Sequence, residues 1–300
     1  MSIHSPYPDY SVARSTAGSL VKYYALAFGI AWLVWIPMVL ASWSILPFQI
    51  PGIVAWLAGV APIFSGALML YRESGKAGLK QLLVRCAMWK FNPGWYGVAF
   101  GLPVFIILLD LGVYRLAGGQ IHGSPPLNWP AGYFLAVIPL IPLAIFEEAG
   151  WRGYASPRLQ FLFGKRGGSL VLGLLWGIWH IPYYLIRGIS FFTNFDLPHL
   201  VLLLGFFIIG TAAFETMMTW LFRHTRGSLL FACIFHASNN AFASLAFLPT
   251  AQAGQGLIFI WSAVVGWVMV LVIPGIEQWI PSRQRKMVRA DVDLFPKENP

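Results

Sequence analysis

Of the chain's 300 residues 58% are hydrophobic and 16% aromatic, but only 10% are charged, far below the roughly 25% charged residues of an ordinary soluble domain, which excludes a cytosolic or secreted globular enzyme. The formal net charge is +9, from 20 Lys and Arg against 11 Asp and Glu. In a soluble chain that excess would point to nucleic acid, but here the basic residues lie between apolar runs and form no stripe, so they report membrane topology and no nucleic acid partner is expected.

The mean hydropathy of +0.68 arises from apolar runs of roughly 20 residues, each long enough to cross a hydrocarbon core as a helix. Their weak two-residue alternation is not that of an outer-membrane barrel. Residues 1–22 read as a short cytoplasmic tail, because the first apolar run is too long for the core of a cleaved signal peptide. Eight spans are expected to follow, at about 24–46, 53–71, 95–116, 131–152, 168–186, 200–222, 228–247 and 257–280. The expected fold is therefore all-α, a polytopic membrane bundle. One transmembrane domain covers 23–281, its motif-bearing core lies at 131–247, and 282–300 form a second cytoplasmic tail.

The distribution of basic residues tests this division. Only Arg115 and Arg187 fall in the odd-numbered connections, while the other 18 of the 20 Lys and Arg lie in the tails and the even-numbered connections. By the positive-inside rule both termini are cytoplasmic, the location expected being the cell membrane. Pro157 is expected to stop the fourth helix. After it, the mixed apolar and basic segment 158–165 reads as a short interfacial helix on the cytoplasmic face. Cys86 and Cys233 show no paired-cysteine spacing, so neither a disulfide framework nor a cysteine metal site is supported.

Ionisable groups inside a bilayer are costly and mark cavities or partners. Asp110 in the third span and Glu215 in the sixth read as paired or near an interface. Glu147, Glu148 and Arg152 near the end of the fourth span carry more information. Glu148 and Arg152 are four apart with the acid leading, about 40° from each other around a helix and well placed to pair. Glu147 lies about 140° from Arg152 and is aimed at a different face. His180 sits one turn after Trp176, and His236 and Asn240 share one face of the seventh span. Counted from the basic ends of their helices at ~1.5 Å per residue, Glu147 and His236 lie ~14 Å and His180 ~18 Å inside. Unrelated polar residues need not agree in depth.

These residues resemble the motifs of the CAAX protease and bacteriocin-processing family of intramembrane endopeptidases, also called the CPBP or ABI family, with its type II CAAX prenyl endopeptidases. Glu147-Glu148-Ala-Gly-Trp-Arg152 is similar to its EExxxR motif, Trp176-x-x-x-His180 to FxxxH and His236-x-x-x-Asn240 to HxxxN, in that order. Trp176 stands where the motif has Phe. The resemblance implies peptide-bond hydrolysis in the membrane, with Glu147 activating a water and His180, His236 and Asn240 around the reacting carbonyl. Glu148, Arg152 and Trp176 would support them. It also implies a peptide or prenylated protein as substrate, met in the lipid.

No cofactor is expected from the motifs, and the soluble metalloprotease signature HExxH is absent. Glu147, His180 and His236 nonetheless make a set that could hold zinc. Two readings compete with the enzyme. A proton- or ion-coupled transporter would use the same groups but predicts repeated, broken helices, which the sequence does not show. A catalytically silent scaffold of the same fold would not need all three motifs.

Overall fold

The computed structural model of the protein describes residues 17–122, 130–188, 196–253 and 256–276. Among these residues every regular element is helical. In chain order they are α1 (Ala17–Ser42), a 3₁₀ segment (Gly52–Val60), α2 (Ala61–Cys86), α3 (Pro93–Leu116), α4 (Ala131–Gly150), a π turn (Trp151–Ala155) and α5 (Ser156–Trp179). Then come α6 (Ile181–Tyr184), α7 (Leu197–His224), α8 (Leu229–Phe242), a second π turn (Ala243–Phe247), α9 (Leu248–Ala253) and α10 (Ile258–Ile276). Residues 17–22 of the expected amino-terminal tail belong to α1. The carboxy-terminal tail lies outside the described residues.

The starts of these helices follow local chemistry. Asn92 caps α3, its side-chain oxygen accepting from the Gly94 N–H at 2.8 Å with Pro93 in the first turn. Asp196 caps α7 by accepting from the His199 N–H at 3.0 Å, and the hydrogen bonds this carboxylate accepts hold its pKa below the usual range. Arg226 and Gly227, both in the left-handed region at φ 52° and 75°, turn the chain from α7 into α8.

Six helical runs among the described residues are long and apolar enough to cross a membrane, and Ile258–Ile273 is a shorter apolar helix. The expected count of eight separate spans is not reproduced, because the fourth and fifth lie in one helical run, Ala131–Tyr184. Pro157 does not stop that run. It sits in the first turn of α5, directly after the π turn. There the Ser156 N–H bonds back to the Trp151 carbonyl and Pro157 has no N–H to give, so the carbonyls of Arg152 and Gly153 lose their helical donors. Arg85 of α2 replaces them, its Nη2 and Nη1 donating to those carbonyls at 3.3 and 3.4 Å.

The chain bends sharply instead at Gly164, whose φ of 69° and ψ of 174° leave the helical region. A Cβ built on Gly168 would come within 2.6 Å of the Gln160 backbone, so the first turns of α5 fold back beside the turns that follow. The expected interfacial segment 158–165 is therefore the opening of α5, with Arg158, Leu159 and Gln160 buried and Phe161, Leu162 and Phe163 exposed.

Small residues set the helix spacing where the polar groups lie. A Cβ on Gly150 would meet the Pro62 backbone oxygen at 2.3 Å, and one on Gly173 would meet the Ala212 Cα at 2.5 Å. These close approaches pack α4 on α2 and α5 on α7, as is usual where membrane helices associate through small residues. α8 is enclosed by α3 and α4 and is buried continuously from Phe231 to Ser238.

Candidate active site

The last turn of α4 carries Glu147 and Glu148, and the helical twist sends them different ways. Glu148 is fully buried while Glu147 is half-buried. Glu148 is ion-paired through Oε2 with Nη1 of Arg152, also fully buried, one turn on. Its other oxygen, Oε1, accepts from Nδ1 of His236 on α8 at 2.8 Å. Arg152 has a second carboxylate partner, Glu215 of α7, reached through Nη2. Glu215 is held in turn by the hydroxyl of Thr219, which donates to Oε1 at 2.6 Å. Four buried ionisable groups from the α4 end, α7 and α8 thus form one connected cluster.

Glu147 points elsewhere. Its Oε2 accepts from the indole Nε1–H of Trp176 on α5 at 2.8 Å, and its Oε1 makes no hydrogen bond among the described residues. One turn on, Nδ1 of His180 lies 2.9 Å from the Trp176 carbonyl oxygen. A carbonyl only accepts, so Nδ1 carries the proton and Nε2 of the neutral ring keeps its lone pair. Trp35, Trp179 and Phe207 surround the His180 ring, with centroids 6.3, 4.7 and 5.9 Å away. The Trp176 ring also meets the His236 ring edge-on at 5.3 Å and lies 5.7 Å from the Arg152 guanidinium carbon.

Trp176 therefore brings Glu147, His180 and His236 together, as the agreement in depth suggested. Asn240 lies one turn beyond His236 on α8, exposed, and bonds to none of these three side chains among the described residues. Its Oδ1 accepts from Nδ2 of Asn239 at 3.4 Å, and its own amide hydrogens make no hydrogen bond among the described residues. Asp110 stays apart, buried between α3 and α10 with Oδ2 accepting from the Ser262 hydroxyl at 2.9 Å.

The partnership of Glu215 with Arg152 was not foreseen beyond the expectation that an intramembrane acid is paired. The two acids ahead of Arg152 already leave one negative charge in excess, but nothing in the sequence shows which distant helix completes the cluster. No three His, Cys, Asp or Glu side chains among the described residues are arranged to hold an ion; the hydrogen bonds of both histidines engage Nδ1 and that of Glu147 engages Oε2, which leaves Nε2 of each ring and Oε1 as open ligand atoms.

Comparison with known proteins bears on the same stretch. Residues 128–242 match the profile of the family described as type II CAAX prenyl endopeptidase Rce1-like. The matched segment spans all three motifs. The chain is also similar to the CAAX prenyl protease 2 of Methanococcus maripaludis, with 24% identity over 249 residues that cover 81% of this chain and 91% of that protein. Glu147, Glu148 and Arg152, Trp176 and His180, Glu215, and His236 and Asn240 thus all lie in the stretch that is similar to the Rce1-like type II CAAX prenyl endopeptidase family.

Proposed function

We propose that the protein hydrolyses a peptide bond in the tail of a prenylated CAAX protein within the membrane, using a water activated by Glu147. The observation that carries this reading is the division of labour between adjacent acids. Glu148 is consumed by Arg152 and His236, whereas Glu147 keeps Oε1 free and is held by Trp176, whose carbonyl also holds His180. Oε1 takes a proton from the water as it attacks and returns it to the amide nitrogen as the tetrahedral intermediate collapses and the C–N bond breaks. Nε2 of His180, a lone-pair acceptor in its neutral form, holds the second water hydrogen and orients the attack. His180 thus acts with Glu147 on the water, where the motif alone grouped it with the donors around the carbonyl.

Asn240, on the face it shares with His236, donates to the oxygen that becomes negative. With Nδ1 bound to Glu148, His236 in its protonated form also presents an Nε2–H, which joins Asn240 at the oxyanion. A positioned base contributes roughly 10²–10⁴-fold and each oxyanion donor on the order of 10²–10³-fold, and every step uses only the chain's own groups.

The substrate class is supported by the family match and by the name of the archaeal relative. Purified protein in detergent, incubated with a farnesylated CAAX peptide and with the same peptide lacking the prenyl group, tests it by mass spectrometry. Cleavage confined to the prenylated peptide is expected. Equal cleavage of both would overturn the substrate class while leaving the hydrolytic reading intact.

A further inference from the structure

Of the residues around the site, Trp176 meets the most functional groups, touching Glu147, His180, His236 and Arg152. Its backbone carbonyl fixes the His180 tautomer, a service any residue could perform. The bond from its indole N–H to Glu147 is specific to tryptophan, and phenylalanine, the residue of the resembled motif, has no N–H to offer.

We propose that Trp176 is a positioning residue of the hydrolytic site, its indole N–H holding Oε2 of Glu147 so that Oε1 alone is presented to the water. The inference rests on the reading of Glu147 as the base. The terminal torsion of a glutamate is broad and two-fold, so an unrestrained carboxylate samples many orientations and presents either oxygen. A donor fixed at 2.8 Å on one oxygen selects a single orientation.

The donor itself is held. Trp176 is only 5% exposed, so water does not stand in for its N–H. Its ring is packed against Phe214, 5.9 Å away, and His236, 5.3 Å away, which prevents the indole from following a wandering carboxylate. Half-burial leaves Glu147 open to a water on one side, while Trp176 closes the other.

The bond is tested by removing the N–H while keeping the shape. In the full-length protein, Trp176→Phe and the replacement of Trp176 by benzothienylalanine, an isostere with sulfur in place of N–H, are compared on the farnesylated peptide. Both are expected to lower kcat about 10- to 100-fold with KM changed by less than about twofold, the signature of a misplaced reacting group. A kcat of the isostere within about twofold of wild type would overturn the proposal.

A second readout follows the contact without activity. In protein labelled with ¹⁵N at the indole, the resonance that vanishes in Trp176→Phe is expected to shift in Glu147→Gln, while that of the exposed Trp89 stays in place. An unmoved resonance would overturn the contact whatever the kinetics show. Full activity of Glu147→Gln would instead sink the reading of Glu147 as base, and it appears in the kinetics alone.

Discussion

Arg152 is fully buried between two carboxylates, Glu148 and Glu215, so removing it strands two charges. Arg152→Met is expected to cost about 3–5 kcal/mol of stability, the usual penalty for breaking a buried pair. Glu148→Gln with Arg152→Met still leaves Glu215 unpaired, so the milder variant is the triple Glu148→Gln, Arg152→Met and Glu215→Gln. Thermal unfolding in detergent checks the order, and a triple variant less stable than Arg152→Met would show that the charges hold more than one another. The same geometry bears on metal. Because the proposed steps use Oε1 of Glu147 and Nε2 of His180 on the water itself, activity is expected to survive dialysis against a chelator. Stoichiometric zinc in active protein, with activity lost on chelation and restored by zinc, would contradict this. The separation of Glu147 from Glu148 was legible in the sequence because four-residue spacing on a helix is local geometry. The second partner of Arg152 was not, since Glu215 lies 63 residues away and periodicity says nothing of which helices meet.

Among the elements, the π turn Trp151–Ala155 shows how a proline can sit inside a long helical run. Sequence reasoning places a helix end at Pro157 because an interior proline removes a hydrogen bond. The structure keeps the run going because a side chain from another helix supplies the missing donors. Arg85 bonds the carbonyls of Arg152 and Gly153, and its Nε donates to the Gly227 carbonyl at 3.0 Å, so α2, the π turn and the α7–α8 turn are tied at one point. Arg85→Met strands these buried carbonyls at about 1–3 kcal/mol each. It is expected to lower the unfolding temperature in detergent, with Arg85→Lys intermediate, and an unchanged temperature would show that the π turn needs no outside donor. Nothing local to residues 151–157 announces Arg85. In the sequence it reads as one more loop cation, yet it is only 6% exposed.

For the molecule as a whole, the basic excess at one end reads as topology, and the structure qualifies it. Arg85, Arg152 and Arg158 are buried and serve carbonyls or carboxylates, with Arg158 paired to Glu73, so these three speak less for orientation than exposed lysines do. The opposite end is marked by His122 and Thr250, which bond each other through the Thr250 hydroxyl, 3.0 Å from the His122 N–H and 2.6 Å from its carbonyl. Thr250 is buried and makes a poor reporter, whereas His122, Lys80 and Lys165 are exposed. Single cysteines at Lys80 and Lys165 are expected to label from the cytoplasm and one at His122 from outside. External labelling of Lys165 would reverse the orientation. The all-helical membrane class was legible because apolar runs of spanning length have few other solutions. The number of separate spans was not, because the bend that divides 131–184 lies at Gly164 and not at the proline that punctuates the sequence.

The central claim is that Glu147, and not its neighbour, activates the water, and the turnover number of Glu147→Gln measures it most directly. On the farnesylated peptide, kcat is expected to fall by roughly 10²–10⁴-fold or more, the contribution of a positioned base. Peptide affinity and unfolding temperature should stay those of the wild type. A folded Glu147→Gln protein that turns over within about tenfold of wild type, well short of that contribution, would contradict the account.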